Sequence, residues 1–502
     1  MKSNKIDIEV KMMNLFQNLV QNDYLIINNT VALKSLSFIK NFNIKVLQIK
    51  NCIKLVPELQ NDSITDLQIN DCKLQSLENL KLKNLEVLNL CSNNLTTINN
   101  ITSFVNLKEV YLTQNRKIDI SPLHQMSKIT HLYLRACQIE DISVLQHLIN
   151  LQALDISSNQ ITDLSPLEHL HNLSDLKLEY CGLHDISSLS KLFNLKYLNL
   201  AGNRLGNLEF LQDLVNLIQL NLDSNRLKNI SILQKLTNLK ELSMNVNEGI
   251  DVTPLSSMVQ LTKLYILSCG LKNISSLSSL VNLETLNIFQ NHKIDIIPLK
   301  YLGNLRSLNM QQNGVQNISV LRHLTNLREL DCSFNVGLDI TPIQYLVNLS
   351  ILRLNRCQIH SIYPLRALVN LDQFLELNNN CITDISPLEY LTKIQKICLY
   401  HNKIQNFSPL LNHPNFEWYN VQLQQSKQEA PTVEELKLNI IIKQVDSAKT
   451  QQQNLSINTK HIEIHLTRIQ QRINMCMQQQ QQDQIQFTTK VVQLFQSLIY
   501  AE

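Results

Sequence analysis

Between Leu85 and Ile394 one pattern, LxxLxLxxN, returns every 22 residues with a single departure. Examples are Leu151-Gln-Ala-Leu154-Asp-Ile156-Ser-Ser-Asn159, Leu195-Lys-Tyr-Leu198-Asn-Leu200-Ala-Gly-Asn203 and Leu217-Ile-Gln-Leu220-Asn-Leu222-Asp-Ser-Asn225. Units begin at Leu85, Leu107, Ile129, Leu151, Leu173, Leu195, Leu217, Leu239, Leu261, Leu283, Leu305, Leu327, Leu349, Leu371 and Ile394, with looser copies near Asn22, Ile44 and Ile64. Counting these gives about 18 units, in the repeat class of 20 to 29 residues. A unit this short cannot bury its own apolar face, so the units must stack.

Each repeated position has a physical reading. In segments such as Leu132-Tyr133-Leu134 the alternation turns both leucines inward and the middle residue outward, so each coil supplies a short parallel strand about 4.8 Å from the next. Three residues after the second Leu stands Asn or Cys: Asn93, Asn115, Cys137, Asn159, Cys181, Asn203, Asn225. An amide there can pair backbone groups that no strand ladder satisfies, and Cys is a small substitute with a weak donor. The second half of each unit reads like Ile161-Thr-Asp163-Leu164-Ser165-Pro166-Leu167-Glu-His-Leu170, with proline recurring at 122, 166, 254, 298, 342, 364, 387 and 409. Ser or Thr usually precedes it, which predicts a hydroxyl N-cap followed by Pro at the start of a short helix or 3-10 turn, with Leu167 and Leu170 facing the core. The step from Leu371 to Ile394 is 23 residues, which predicts a one-residue bulge near Phe374-Leu375.

These residues resemble the 22-residue class of leucine-rich repeats, found in the regulatory subunit of type-1 protein phosphatase, in bacterial internalins and in large families of single-celled eukaryotes. The resemblance covers residues 22 to 420 and implies an α/β solenoid. That is a leucine-rich repeat horseshoe with a parallel concave sheet, and short helical or 3-10 segments on its convex side. It also implies a non-catalytic scaffold that binds a protein partner, with regulation of a phosphatase catalytic subunit as a narrower version. This array is longer than the phosphatase regulator and carries a Gln-rich tail.

Solenoid ends need caps. Residues 1–21 are expected to form the first, an amphipathic helix with Met12, Leu15, Phe16, Leu19 and Val20 on one face. The imperfect turn His413-Pro-Asn-Phe-Glu-Trp418-Tyr419 is expected to close the array. From 421 to 502 the period ends and Gln becomes abundant, while Ile462, Leu466, Ile469, Ile473 and Cys476 step 4-3-4-3. This predicts a helical or partly disordered tail whose helices, of coiled-coil type, pack on each other or on a partner. The alternative function is therefore a self-assembling structural, cytoskeleton-associated protein that oligomerises through its C-terminal helices.

Composition narrows the chemistry. Only 8 glycines stand in 502 residues and no GxxxxGK[ST] occurs, which argues against a phosphate-binding enzyme. The balance of 45 basic and 42 acidic residues gives no long-range field for nucleic acid or membrane. The 11 cysteines, without a CxxC pair, fit a reducing, cytoplasmic setting. Most of them follow the coil: Cys52, Cys72, Cys137, Cys181, Cys269 and Cys357 take the Asn slot. The Asp-Ile pairs at Asp119, Asp141, Asp163, Asp185, Asp295 and Asp339 read as local turn residues rather than a metal array. His461 and His465 lie one helical turn apart but lack the HExxH arrangement. No catalytic, metal or cofactor site is expected.

The outward strand positions remain, along a face about 86 Å long. Tyr111, His131, Tyr133, Arg135, Asp155, Asp175, Lys177, Glu179 and Tyr197 fall on five consecutive coils, and Tyr265, Phe289 and Arg353 follow further along. Aromatic residues mixed with charges make these the expected protein-binding set.

Overall fold

Alternating apolar residues decide which way each short strand faces. The computed structural model describes residues 23–28, 36, 39–40, 42–52, 58–406 and 408–410, and the strands fall where the alternation puts them. Leu132 and Leu134 are fully buried while Tyr133 between them is half-exposed. The chain divides into two units, Met1–Val315 and Gln316–Glu502, and the described strands and turns of each follow the same coil.

In the first unit a parallel sheet runs from Tyr24–Asn28 through Val46–Lys50, Asp66–Asn70 and Val87–Asn89, then one three-residue strand per coil to Ser307–Asn309. The looser copies are real coils. Tyr24 pairs with Val46, Val46 with Asp66 and Asp66 with Val87, after which partners such as Asp175 and Tyr197 lie 22 residues apart. In the second unit Glu329–Asp331, Ile351–Arg353, Phe374–Glu376 and Lys396–Cys398 pair in the same parallel manner.

From Asn99 onwards the other side of the coils carries 3-10 turns such as Ser121–Gln125, Ser143–His147 and Ser165–Leu167. Two earlier coils pair Leu59–Gln60 with Leu80–Lys81 there instead, and no α-helix occurs among the described residues. The spacing of inward residues explains the choice. Ile120, Leu123, Met126 and Ile129 are all buried and step by three, as do Leu164, Leu167, Leu170 and Leu173. A helix with three residues per turn brings every third side chain to one line, whereas an α-helix would rotate them away. Leu123 N–H donates to Ile120 C=O, Met126 to Leu123 and Ile129 to Met126, at 2.8–3.0 Å.

The expected hydroxyl N-cap is not the one used. The residue before each turn is apolar, as Ile120 is before Ser121–Gln125, and makes no side-chain cap bond. The acceptor stands one position earlier: Asp119 Oδ1 receives the Ser121 N–H (2.9 Å), Asp141 that of Ser143 (2.7 Å), and Asp163 that of Ser165 (2.8 Å). Asp185, Asp295 and Asp339 do the same for Ser187, Ile297 and Thr341. These are Asx turns, which is the local role expected of the Asp-Ile pairs. The Ser165 hydroxyl instead donates to Asp163 and braces the acceptor. Such bonds hold Asp141 and Asp185 below the usual carboxylate range.

The bulge expected near Phe374-Leu375 is displaced upstream. Phe374, Leu375 and Glu376 pair regularly on both sides. The added residue is Asp372. Gln373 and Phe374 both donate to Ser350 C=O, the role Gln152 and Ala153 fill towards Thr130, and the Asp372 carboxylate accepts the Ser350 hydroxyl.

Two asparagine columns tie successive coils together. The buried one was expected. Asn159 Oδ1 accepts the N–H groups of Cys137 and Ile139 (both 3.0 Å), and its Nδ2 donates to the carbonyls of Leu134 and Ile156 at 2.9 and 2.8 Å. The second, exposed column precedes the leading Leu of each coil. Asn150, Asn172, Asn194 and Asn216 donate to the carbonyls of Ser127, Ile149, His171 and Phe193 at 2.7–2.9 Å. Corners after the strands sit at positive φ, and at one of them glycine also leaves room for a neighbouring ring. A Cβ on Gly202 (φ 70°) would come 2.2 Å from the Tyr180 ring.

The helical cap at 1–21, the closing turn with Trp418, the tail at 421–502 and its His461 and His465 lie outside the described residues.

Candidate functional site

In the first unit, parallel register turns sequence spacing into columns. Tyr111, Tyr133, Asp155, Lys177 and Asn199 form one; Glu109, His131, Ala153, Asp175 and Tyr197 form its neighbour. Identical side chains one strand apart must lie side by side. The rings of Tyr111 and Tyr133 stack with centroids 4.5 Å apart and planes 3° from parallel. The Tyr111 hydroxyl donates to Glu109 at 2.9 Å.

A third column carries Arg135, Ser157 and Glu179. Arg135 Nη1 bonds Glu179 across two coils, which is possible because Ser157 between them is fully buried and short. Glu179 also accepts Asn199 Nδ2, so both charges of the bridge are engaged. The intervening coil presents Ala153, Asp155 and Ser157, all short, between the taller rows of His131, Tyr133, Arg135 and of Asp175, Lys177, Glu179. The result is a shallow trough with Asp155 at its middle. Asp155 Oδ1 accepts the Ser157 N–H at 3.0 Å.

Acidic charge gathers around this trough. Burial pushes the Asp175 carboxyl above its usual range, Lys177 opposes that, and Asp155 adds to it. Burial likewise raises Asp66, with the Glu109 carboxylate adding to the shift and a bond from Gln68 opposing it. Tyr111 and Tyr133 are pushed up by burial first. The bond to Glu109 adds to this in Tyr111, and the charges of Asp175, Glu109 and Asp155 add to it in Tyr133. His131 shares a 2.9 Å bond with the Thr130 hydroxyl.

Of the twelve expected residues, the structure therefore brings Tyr111, His131, Tyr133, Arg135, Asp155, Asp175, Lys177 and Glu179 together, with Tyr197, 43% exposed, at the margin. Tyr265 and Phe289 face outward several coils further on and are not part of this patch. Arg353 belongs to the second unit, where it bonds Glu329 at 2.7 Å and Glu376 at 3.3 Å. Sequence reasoning passed over the floor residues Ala153 and Ser157. Their signal was three short outward residues in a single coil.

Beside Arg353, Asp331 is 7% exposed and accepts the Ser333 N–H at 3.0 Å. Burial pushes its carboxyl above the usual range and the Glu376 charge adds to this, against the Ser333 bonds and Arg353. A carboxyl raised in the folded state stabilises it below the ordinary value and loses that contribution as pH rises through the raised one. Asp331→Asn keeps the acceptor for Ser333. It should raise the thermal unfolding midpoint at about pH 7 and leave it unchanged near pH 3, where the native carboxyl is protonated in both states. A lower midpoint at neutral pH would show that attraction to Arg353 outweighs burial.

Comparison with known proteins agrees with this coil. The family model for leucine-rich repeats in two copies matches residues 83–124, 127–169, 149–191 and 373–412. Among curated relatives, mouse leucine-rich repeat-containing protein 56 is 34% identical over 87 residues; the match spans 17% of this chain and 16% of that relative. Among solved structures, an internalin from Listeria monocytogenes is similar with TM-score 0.52 and 29% identity, covering 58% of this chain and 86% of the internalin. A Leptospira interrogans leucine-rich repeat protein gives TM-score 0.52 at 22% identity over 78% of this chain and 93% of its own, a likeness of fold alone.

Proposed function

Because this chain is a leucine-rich repeat protein, a kind that commonly serves as an interaction module, we propose that it is a non-catalytic scaffold. It binds a folded protein partner on the strand face of its first unit, through the patch from Tyr111 to Tyr197. The observation that carries this reading is the stacked Tyr111–Tyr133 pair, fixed by strand register beside acidic side chains on a surface already formed. Tyrosine supplies contact area with little rotamer entropy to lose, and a rigid sheet adds no folding cost to binding. The face is long enough for a standard interface of about 1,200 to 2,000 Å². The narrower version, regulation of a type-1 phosphatase catalytic subunit, rests on family resemblance only and gains nothing from the relatives above. The self-association reading concerns residues outside those described.

Capture from a lysate of the source cells, with the full chain and with a Tyr111→Ala/Tyr133→Ala/Tyr197→Ala variant, tests the patch. At least one partner should fall by about tenfold or more in the variant. Identical partner lists would sink the proposal.

A further inference from the structure

We propose that the trough over Ala153, Asp155 and Ser157 receives an arginine or lysine side chain from an extended basic segment of the partner. This rests on the scaffold reading of the same face and names the chemistry it selects.

Three observations carry it. First, local charge opposes the charge of the whole. The chain is +3 overall, yet the strand face around the trough bears Glu109, Asp155 and Asp175. Arg135 is bridged to Glu179, whose charge offsets it, although it also acts on Asp155. Lys177 lowers the negative charge by one and forms a salt bridge with neither Asp155 nor Asp175. A face of that sign attracts cations and repels the phosphates of nucleic acid.

Second, the aromatic wall is oriented for a cation. Tyr111 covers one face of the Tyr133 ring. The opposite face looks along the array towards the next coil, where Asp155, in register with Tyr133, is too short to cover it. A guanidinium or ammonium laid there would meet the negative face of the ring, the Asp155 carboxylate below and Asp175 on the far side.

Third, the trough is closed at one end. The Arg135–Glu179 bridge passes over the buried Ser157, so a side chain enters from the open surface and cannot slide past that end. A flat partner surface would leave Asp155 unreached; a long cationic side chain reaches it. The spacing of the array, about 4.8 Å per coil, also suits an extended segment crossing several strands.

A random-peptide display library selected on the full chain provides the test. Selected peptides are then titrated by fluorescence anisotropy against the wild type, Asp155→Asn/Asp175→Asn and Tyr111→Ala/Tyr133→Ala. Both carboxamides match the carboxylates in shape, and the one introduced by Asp155→Asn can still accept the Ser157 N–H, so folding should be unaltered. The expected peptides are rich in Arg or Lys, bind about tenfold more weakly to each variant, and weaken further as salt is added. Peptides without basic enrichment that still lose affinity on Tyr111→Ala/Tyr133→Ala would overturn the cation assignment and leave the scaffold reading standing. Peptides indifferent to both variants would place binding elsewhere and overturn both. A selection that yields no binder would overturn the cation assignment.

Discussion

Asn159→Ala is expected to cost about 3 to 5 kcal/mol of stability, far more than truncating an asparagine on the exposed column. Its amide closes four strong bonds at once, two as acceptor from Cys137 and Ile139 and two as donor to Leu134 and Ile156. Asn159 is 3% exposed, so water cannot replace them. Each orphaned buried group carries its own desolvation cost, and the effects accumulate because all four belong to one turn. Two comparisons make the prediction sharp. Asn159→Cys should cost less, since Cys137 and Cys181 occupy the equivalent slot and donate to the carbonyls of Leu112 and Ile156 at 3.2 and 3.4 Å. Asn150→Ala should cost under about 1 kcal/mol, because the Ser127 carbonyl it serves is exposed and turns to solvent. Urea unfolding followed by circular dichroism checks the order. Equal costs for alanine at 150 and 159 would mean that the buried column is not what joins the coils.

How much of this could be read from the residues depends on whether the determinant repeats. The strands, the buried leucines and the amide column each recur at 22-residue spacing, and each was placed from that spacing. The short helical or 3-10 turns also follow from the residues, with the steps of three from Leu164 to Leu173 favouring the 3-10 form; the hydroxyl N-cap expected from the Ser-Pro pairs is the part that fails. The true acceptor lies one residue earlier because an apolar residue must occupy the cap position to reach the core, which leaves Asp119 or Asp163 as the nearest polar group. The exposed amide column, Asn150 to Asn216, is equally periodic. It went unread because no sequence rule says which carbonyl an exposed asparagine finds. At the candidate site, the Tyr111–Tyr133 stack follows from identical residues 22 apart. The Arg135–Glu179 bridge does not, because it spans 44 residues and depends on the short side chain of Ser157. Alternation by itself could not separate Tyr133 from Tyr265, since both point outward; only neighbours along the sheet set them apart.

The same column logic predicts a large cost at Phe104. Leu82, Phe104, Met126, Leu148 and Leu170 occupy one buried slot in successive coils, three residues before the leading apolar residue of the next coil; at Phe104, Met126 and Leu148 it is the residue that ends the 3-10 turn. Phe104 is fully buried and among the largest side chains that are. In a globular core a deletion is softened by neighbours that move in from several directions. A solenoid coil has its own backbone on two sides and one coil above and below, each fixed by strand register and amide bonds, so little can collapse into the space. Phe104→Ala should therefore lie in the upper range for such a change, about 3 to 5 kcal/mol. Phe104→Leu restores the residue type the slot holds at Leu82 and Leu148, and should cost about 1 kcal/mol, the local packing having adjusted to the ring. Chemical denaturation of the two variants measures the gap. If alanine and leucine cost the same, packing in this column is not set by volume. If the alanine cost is under about 1 kcal/mol, the coils relax along the stack more freely than register and amide bonds allow.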